Sequence, residues 1–593
     1  MSEKDNGLTT TAGASVTVSS SQELNEQITS NANALGAGDS LTIQIQGDLT
    51  LQEDIAPIDT AGSVTIVAAT GTVTVDGGQP SARGFVILSG AVTLSNLTLS
   101  NMVSQGSAGG LGAGGGLFIA NLPSGTPYNP KGQTPNVTLS NVSFSNCAAR
   151  GGSVTSNASG GPGGAPGGYG GGGGDGAGTD GQHGTAGNPG MNPTGSNVFG
   201  SPISAGFFGA AGPGGQPGGY GGGGSGGGDS GGFDAHDGDP GSRGNPGFQG
   251  GHGGYGAGAG AGGGGGGAGG GGGGGDGDFN TGSGASGGLG GLGGSAGSPG
   301  FGGGEGAGAT PGSQGGGHNG MTGGQGGQGG SGSYAGGGAG FGGAIFVMSG
   351  ASLAVEGGGA ISGGQAVGGT SPGSPSGTGA GPGLFLQGTG TLTFAPTGNS
   401  TYTIGDAIAD ETGAVADGAP PRTGLPTGPD GLPTGGGQGT WGLNMTGDGT
   451  LALQGPQAFS GPISVDCGTL DLSSYSNPAA NDLTLVPGAT LIQRPAAPSS
   501  ALPLNTLSII SSPNAPAVLA LNGNASIVAE TVSIPNGVTL QIDPTGFAAG
   551  RPMSLIQSKI AMNPPPTVSL SPESGFSAKV TANAIIVTMK APS

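Results

Sequence analysis

The sequence predicts an all-β fold in which many short strands stack as a solenoid, with a glycine-rich domain inserted into it. Three observations carry that prediction. Runs of apolar residues at alternate positions, such as Leu41, Ile43 and Ile45, follow one another along both flanks of the chain. Each run is too short to bury a face alone, so the runs must stack or close on one another. One sequence unit recurs on both sides of residues 151–340, and that middle stretch holds most of the 153 glycines, a composition that cannot build a side-chain core.

Residues 19–36 carry the one convincing helix. Ser20-Ser21-Gln22-Glu23 has capping-box spacing, Leu24, Ile28 and Leu35 share a face, and Gly36 supplies the stop. Residues 1–36 are therefore read as an N-terminal segment with a capping helix, which a solenoid needs to hide its open end. Alternation takes over in residues 37–150, with Leu49 and Leu51, Val64 and Ile66, and Val73 and Val75 punctuated by Gly47-Asp48, Gly71 and Asp76-Gly77-Gly78. The recurring unit appears whole in residues 84–101, split between 115–120 and 136–146, and again in 342–355 and 383–394. Its presence on both sides makes 151–340 an insertion between neighbouring coils and 341–593 the second part of the same structure.

Inside the insertion, triplets such as Gly323-Gly324-Gln325-Gly326-Gly327-Gln328 match the three-residue turn of a polyproline-II helix. Turns at Asn188-Pro189-Gly190, Asn245-Pro246-Gly247 and Ser298-Pro299-Gly300 would fold such helices back into a polyglycine II bundle, with a disordered tract as the alternative.

Charge narrows the function. The chain has 11 Lys and Arg against 32 Asp and Glu, a formal charge of −21, which argues against binding nucleic acid or anionic lipid. No run approaches the roughly 18 apolar residues of a membrane-spanning helix. Cys147 and Cys467 are expected as buried free thiols, with a single bridge as the alternative. Met1-Ser2-Glu3-Lys4-Asp5-Asn6 lacks the basic and apolar regions of a secretory signal.

Chemistry-bearing residues are sparse. All four histidines, His183, His236, His252 and His318, lie in the glycine-rich tract, near Asp175, Asp180, Asp234, Asp237 and Asp239. They lack tight metal-ligand spacing and are read as solvated turn residues. Gly272-Gly273-Gly274-Gly275-Asp276-Gly277-Asp278 echoes a calcium-binding nonapeptide once, without repetition. No Gly-Lys-Ser/Thr follows a glycine run, so a phosphate loop is excluded. Asp406, Asp410, Glu411 and Asp417 cluster, with Arg422 nearby. A hydrolase would need two carboxylates across a groove, but these are read as a solvated bulge in residues 406–438. Asn96, Asn101, Asn141 and Asn146 are read as ladders or turn caps. Trp441 is the only tryptophan, so an aromatic sugar platform would have to use tyrosines.

The segment 445–472 contains Gly447-Asp448-Gly449-Thr450-Leu451-Ala452-Leu453, Phe459-Ser460-Gly461 and Gly468-Thr469-Leu470-Asp471-Leu472. It resembles the autotransporter-associated β-strand repeat, and Tyr402-Thr403-Ile404-Gly405-Asp406 resembles the coil that often precedes it. Gly342-Gly343-Ala344-Ile345 and Phe144-Ser145-Asn146 are similar to short motifs of polymorphic outer-membrane passengers, with Cys147 departing from the second. The flanks thus resemble autotransporter-type passengers with a pectin-lyase-like fold, and the resemblance implies a right-handed parallel β-helix. It further implies a non-enzymatic adhesin or extracellular structural protein, with self-assembly into filaments as a variant. Such a protein contacts a host, neighbouring-cell or matrix surface (glycan or protein) through the β-helix or the insertion. Some proteins of this fold are polysaccharide lyases or tailspike-like depolymerases, which is the alternative. The expectation includes no catalytic residue, metal or cofactor, and an extracellular or cell-surface location. The route there is not visible in the sequence, since no outer-membrane barrel follows the last strand before Ser593.

Overall fold

The computed structural model describes residues 13–79, 81–106, 111–121, 131–153, 274–276, 283–286, 293–297, 339–370, 377–416, 439–476, 480–496, 501–510, 512, 514–535, 538–563, 565–572 and 575–590. The alternating runs are strands, and they pair in parallel and in register. Val16, Ile43, Ile66, Leu94, Leu139, Val355, Phe394, Met445, Val465, Leu485 and Ile509 stand in one column, each paired with the next. At about 4.8 Å per step, this column is about 50 Å long. All its members except Val16 are buried.

The column belongs to a 19-stranded sheet that shares one hydrophobic cluster with a 12-stranded sheet. The chain alternates between the two: Ser40–Ile45 in the first, Leu49–Thr50 in the second, Ile58–Ala68 in the first, Val73–Asp76 in the second. Parallel strands cannot be joined by a tight turn, so each detour through the second sheet is what lets successive strands of the first run the same way. In the middle of the chain two three-stranded parallel sheets are added. One is Val103–Gln105, Ala148–Arg150 and Gln365–Val367, and the other is Gly112–Ala113, Gly340–Phe341 and Gly379–Ala380.

The recurring unit stacks on itself. Phe85, Leu117, Ile345, Leu384 and Ile408 occupy one ladder position in five consecutive strands. Strands on either side of residues 154–338 are therefore direct neighbours, as Leu117–Ile119 and Ile345–Val347 show. The corner between Val103–Gln105 and Gly112–Ala113 is crossed by residues 106–111, and the equivalent corner one step beyond the insertion by residues 368–378. The glycine-rich tract leaves and rejoins at that same corner. In the resembling segment, Thr450 and Leu451 pair with Thr469 and Leu470, which pair with Thr490 and Leu491.

Several expectations are corrected. The helix spans Ser21–Ser30, followed by a 3-10 turn at Ala32–Ala34, and stops before Gly36. Asn33 causes the tightening: its amide donates to the Pro57 carbonyl at 2.9 Å and its oxygen accepts from the Asp59 N–H at 2.8 Å. A strand not read in the sequence, Ala14–Val18, precedes the helix and pairs in parallel with Ser40–Ile45. The capping box itself forms, with the Glu23 N–H donating to Ser20 Oγ at 3.2 Å and the Ser19 N–H donating to the Glu23 carboxylate at 2.7 Å. Ser20→Ala should lower stability by about 1 kcal/mol in denaturant melts, whereas an unchanged midpoint would show that tertiary contacts alone fix the helix start.

At the other end, the apolar run over residues 580–589 does not add one more parallel coil. Instead Phe576–Val580 and Ala584–Met589 are antiparallel, and the latter is also antiparallel to Pro552–Ser558. The Thr581 N–H donates to the Ala584 carbonyl at 2.8 Å, and a connection this short can only join antiparallel strands. In the glycine-rich tract, Gly274–Asp276, Ser283–Ser286 and Gly293–Gly297 are short strands paired with one another. There, pairing between extended strands replaces the expected three-residue helix, because glycine imposes no side-chain preference between the two. The rest of the stretch read as a polyglycine II bundle lies outside the described residues.

Candidate functional site

The acidic cluster after residue 405 brings Asp406, Asp410 and Glu411 into one short run. Its centre sits where a hydrocarbon belongs. Ile87, Ile119, Val347 and Leu386 occupy one ladder position, and the next member of that column is Asp410. Asp410 is 0% exposed. Its Oδ1 accepts from the Gly413 N–H at 2.6 Å, and its Oδ2 from the Trp441 N–H at 2.9 Å, the Ser460 N–H at 2.8 Å and Ser460 Oγ at 2.9 Å. Beside it, buried Glu411 accepts from the Gly439 N–H at 3.1 Å. Asp406, half-buried, accepts from the N–H groups of Gly363 and Gly364 at 3.1 and 2.7 Å.

The reading of this cluster as a solvated bulge is therefore wrong for Asp410 and Glu411. They are inside because adjoining segments arrive with backbone donors that no strand partner satisfies, and a buried N–H without an acceptor is costly. With four donors on two oxygens, Asp410 acts as a staple between three segments. Burial pushes its carboxyl above the ordinary range, against the opposing pull of the Ser460, Trp441 and Gly413 donors. Asp59, which accepts from Ser89 Oγ at 2.6 Å, is raised by burial in the same way. Asp417 and Arg422 lie outside the described residues.

The corner asparagines have the structural role expected of them. Asn96, Asn101, Asn141 and Asn146 all adopt left-handed backbone, with φ of 54°, 55°, 53° and 54°. Asn141 Nδ2 donates to Asn96 Oδ1 at 3.1 Å, and Asn141 Oδ1 accepts from the Gly358 N–H at 2.9 Å. One step on, glycine at 357 and 363 takes over the left-handed corner. Asn141→Ala should cost about 1–2 kcal/mol and Asn141→Gly much less, since only the first adds left-handed strain. Equal losses in chemical denaturation would assign the effect to the side-chain ladder instead.

A second hydrophobic cluster backs this region. In Leu117–Ile119 the outer residues face the main cluster while Phe118 faces the other way, into the second. Phe118 stacks on Phe346 at 5.1 Å, Phe346 on Phe385 at 5.6 Å, and Phe385 on Phe341 at 4.3 Å. Phe341 is part of the strand that re-enters from the glycine-rich tract, so the stack anchors the foot of the insertion. The continuous apolar triplets Leu117-Phe118-Ile119, Ile345-Phe346-Val347 and Leu384-Phe385-Leu386 are the sequence signal for a strand covered on both faces.

Trp441 is buried, with Nε1 donating to the Gln387 carbonyl at 3.0 Å. Tyr402 and Tyr475 are buried too, their hydroxyls bonded to the Val142 carbonyl at 3.0 Å and Asn481 Oδ1 at 2.6 Å. None of these described rings is a surface platform. Cys147 and Cys467 are both free. Cys147 is buried as expected, and burial pushes its thiol up to about 12, whereas Cys467 is partly exposed. A maleimide should therefore label Cys467 alone in the native protein, and labelling of Cys147 at a similar rate would contradict this packing.

The four histidines, Asp175, Asp180, Asp234, Asp237, Asp239 and Asp278 lie outside the described residues, and only backbone is described at Asp276. Among the described residues no group of three or more His, Cys, Asp or Glu is placed to hold a metal, and no helix is long and apolar enough to cross a membrane. Fold and side-chain arrangement together define an all-β protein built on parallel sheets, with buried carboxylates as internal staples. No protein-family model matches the chain, and comparison with curated proteins finds no significant match.

Proposed function

We propose that the chain is a right-handed parallel β-helix acting as a non-enzymatic, exported adhesin or extracellular structural protein. The supporting observation is the unbroken in-register column from Val16 to Ile509, from one corner of which the glycine-rich tract departs. Right-handed crossover is the rule for parallel connections. A ladder in which every rung bonds to the next has no hinge, so it works as a stiff support. The tract inserted at its corner is long, glycine-rich and sparsely charged in sequence, a composition suited to many weak contacts with a host, neighbouring-cell or matrix surface of glycan or protein. The carboxylates that would serve a glycan-cleaving reading, Asp410 and Glu411, are engaged by backbone donors.

The test replaces residues 154–338 by a corner of the length used at 368–378. Both forms are assayed for thermal unfolding, for adhesion to cells and immobilised polysaccharides, and for release of new sugar ends. The expected result is a preserved unfolding transition, lost adhesion and no sugar release from either form. Adhesion retained by the shortened form would move binding to the sheet faces, and sugar release by the full chain would sink the non-enzymatic reading.

A further inference from the structure

We infer that one end of the molecule docks on the opposite end of a second copy, so that the 19-stranded sheet continues from molecule to molecule; this rests on the rod reading above. Among the described residues, the sheet ends at one side on Ala14–Val18, paired only with Ser40–Ile45, and at the other on Phe576–Val580, paired only with Ala584–Met589. Both edge strands are five residues long. Such edges present rows of unpaired N–H and C=O groups, a template for another strand.

Direction fits as well. Ala584–Met589 runs antiparallel to Pro552–Ser558, and Phe576–Val580 runs antiparallel to it in turn. Two reversals bring the last edge strand back to the direction of the ladder. It therefore offers Ala14–Val18 of another copy the parallel pairing used throughout the sheet.

Charge selects the same partner. Among the described residues, 13–59 hold seven Asp and Glu and no Lys or Arg, and 551–590 hold four Lys and Arg and no Asp or Glu. In a chain of net charge −21 this positive end is exceptional. Glu26 on the helix is exposed at the acidic end, and Arg551, Lys579 and Lys590 are exposed at the basic end. Lys579 lies on the edge strand itself. Contact between two different ends is heterologous, and where the rotation does not close a ring it grows a filament.

The experiment uses the full chain in sedimentation velocity over a concentration series, at about 0.02 M and about 0.5 M salt, with electron micrographs of the same samples. We expect end-to-end association that weakens as salt rises. The variant Lys579→Glu with Lys590→Glu should associate about tenfold or more weakly. The variant Gln22→Lys with Glu26→Lys should be similarly defective alone, and mixing the two should restore heterologous pairs. Rods that stay monomeric at every concentration, or association untouched by both charge reversals, would overturn the inference. Monomers that are not elongated would overturn the rod reading itself.

Discussion

Replacing Asp410 by asparagine should destabilise the protein by about 3 kcal/mol or more, since a buried carboxylate with several donors becomes an amide with one acceptor. The amide NH₂ would be turned against the donors at Gly413 or against those at Trp441 and Ser460. The companion variant, Asp410→Leu, restores the aliphatic column formed by Ile87, Ile119, Val347 and Leu386. If hydrocarbon packing governed the site, Leu would be as stable as the native protein. The staple account expects it to be destabilised too, because three backbone N–H groups lose their acceptor. Guanidinium midpoints for the two variants separate the readings.

The pH dependence of this site has an unusual sign. A carboxyl raised above its unfolded value disfavours the folded state while ionised, and that penalty is relieved as pH falls through the folded value. Asp410 and Asp59 are both of this kind. Glu23, Asp76 and Asp543 are held low by hydrogen bonds and act oppositely, their contribution fading only as pH drops below the ordinary carboxylate range. Stability should thus rise on mild acidification from neutrality and fall in stronger acid. The rise should shrink in Asp410→Asn, and a monotonic decline from pH 7 in the native chain would refute the assignment.

Phe346→Ala should destabilise by about 3–5 kcal/mol. Phe346 is fully buried and stacked between Phe118 and Phe385, so its removal opens a gap on both sides. Phe346→Leu should lose less than half as much. The loss should appear with faster hydrogen exchange at Gly340–Phe341, where the glycine-rich tract rejoins the sheet. Unchanged exchange there, despite lowered stability, would separate the stack from the footing of the insertion.

Local pattern determined much of this protein. Alternation at Leu41, Ile43 and Ile45 fixes which face of a strand is buried, because the side-chain period of a strand is two. The recurring unit fixes register, since like residues stack on like: Phe118, Phe346 and Phe385 share one ladder position in successive strands. Ser20 and Glu23 fix the helix start through bonds spanning only four residues. Each of these signals is short-range, and each is legible in the chain.

What the tertiary structure alone decided involves groups far apart in sequence. Asp410 lies in a run that reads as an acidic, proline-rich loop, and nothing local says that Trp441 and Ser460 bring their N–H groups to it. The early end of the helix depends on Pro57 and Asp59 reaching Asn33. The final strands turned antiparallel because a three-residue connection left no room for a detour through the second sheet. In every case the deciding force is the requirement that buried backbone donors and acceptors be paired, and the identity of each partner is settled by the fold rather than by neighbouring residues.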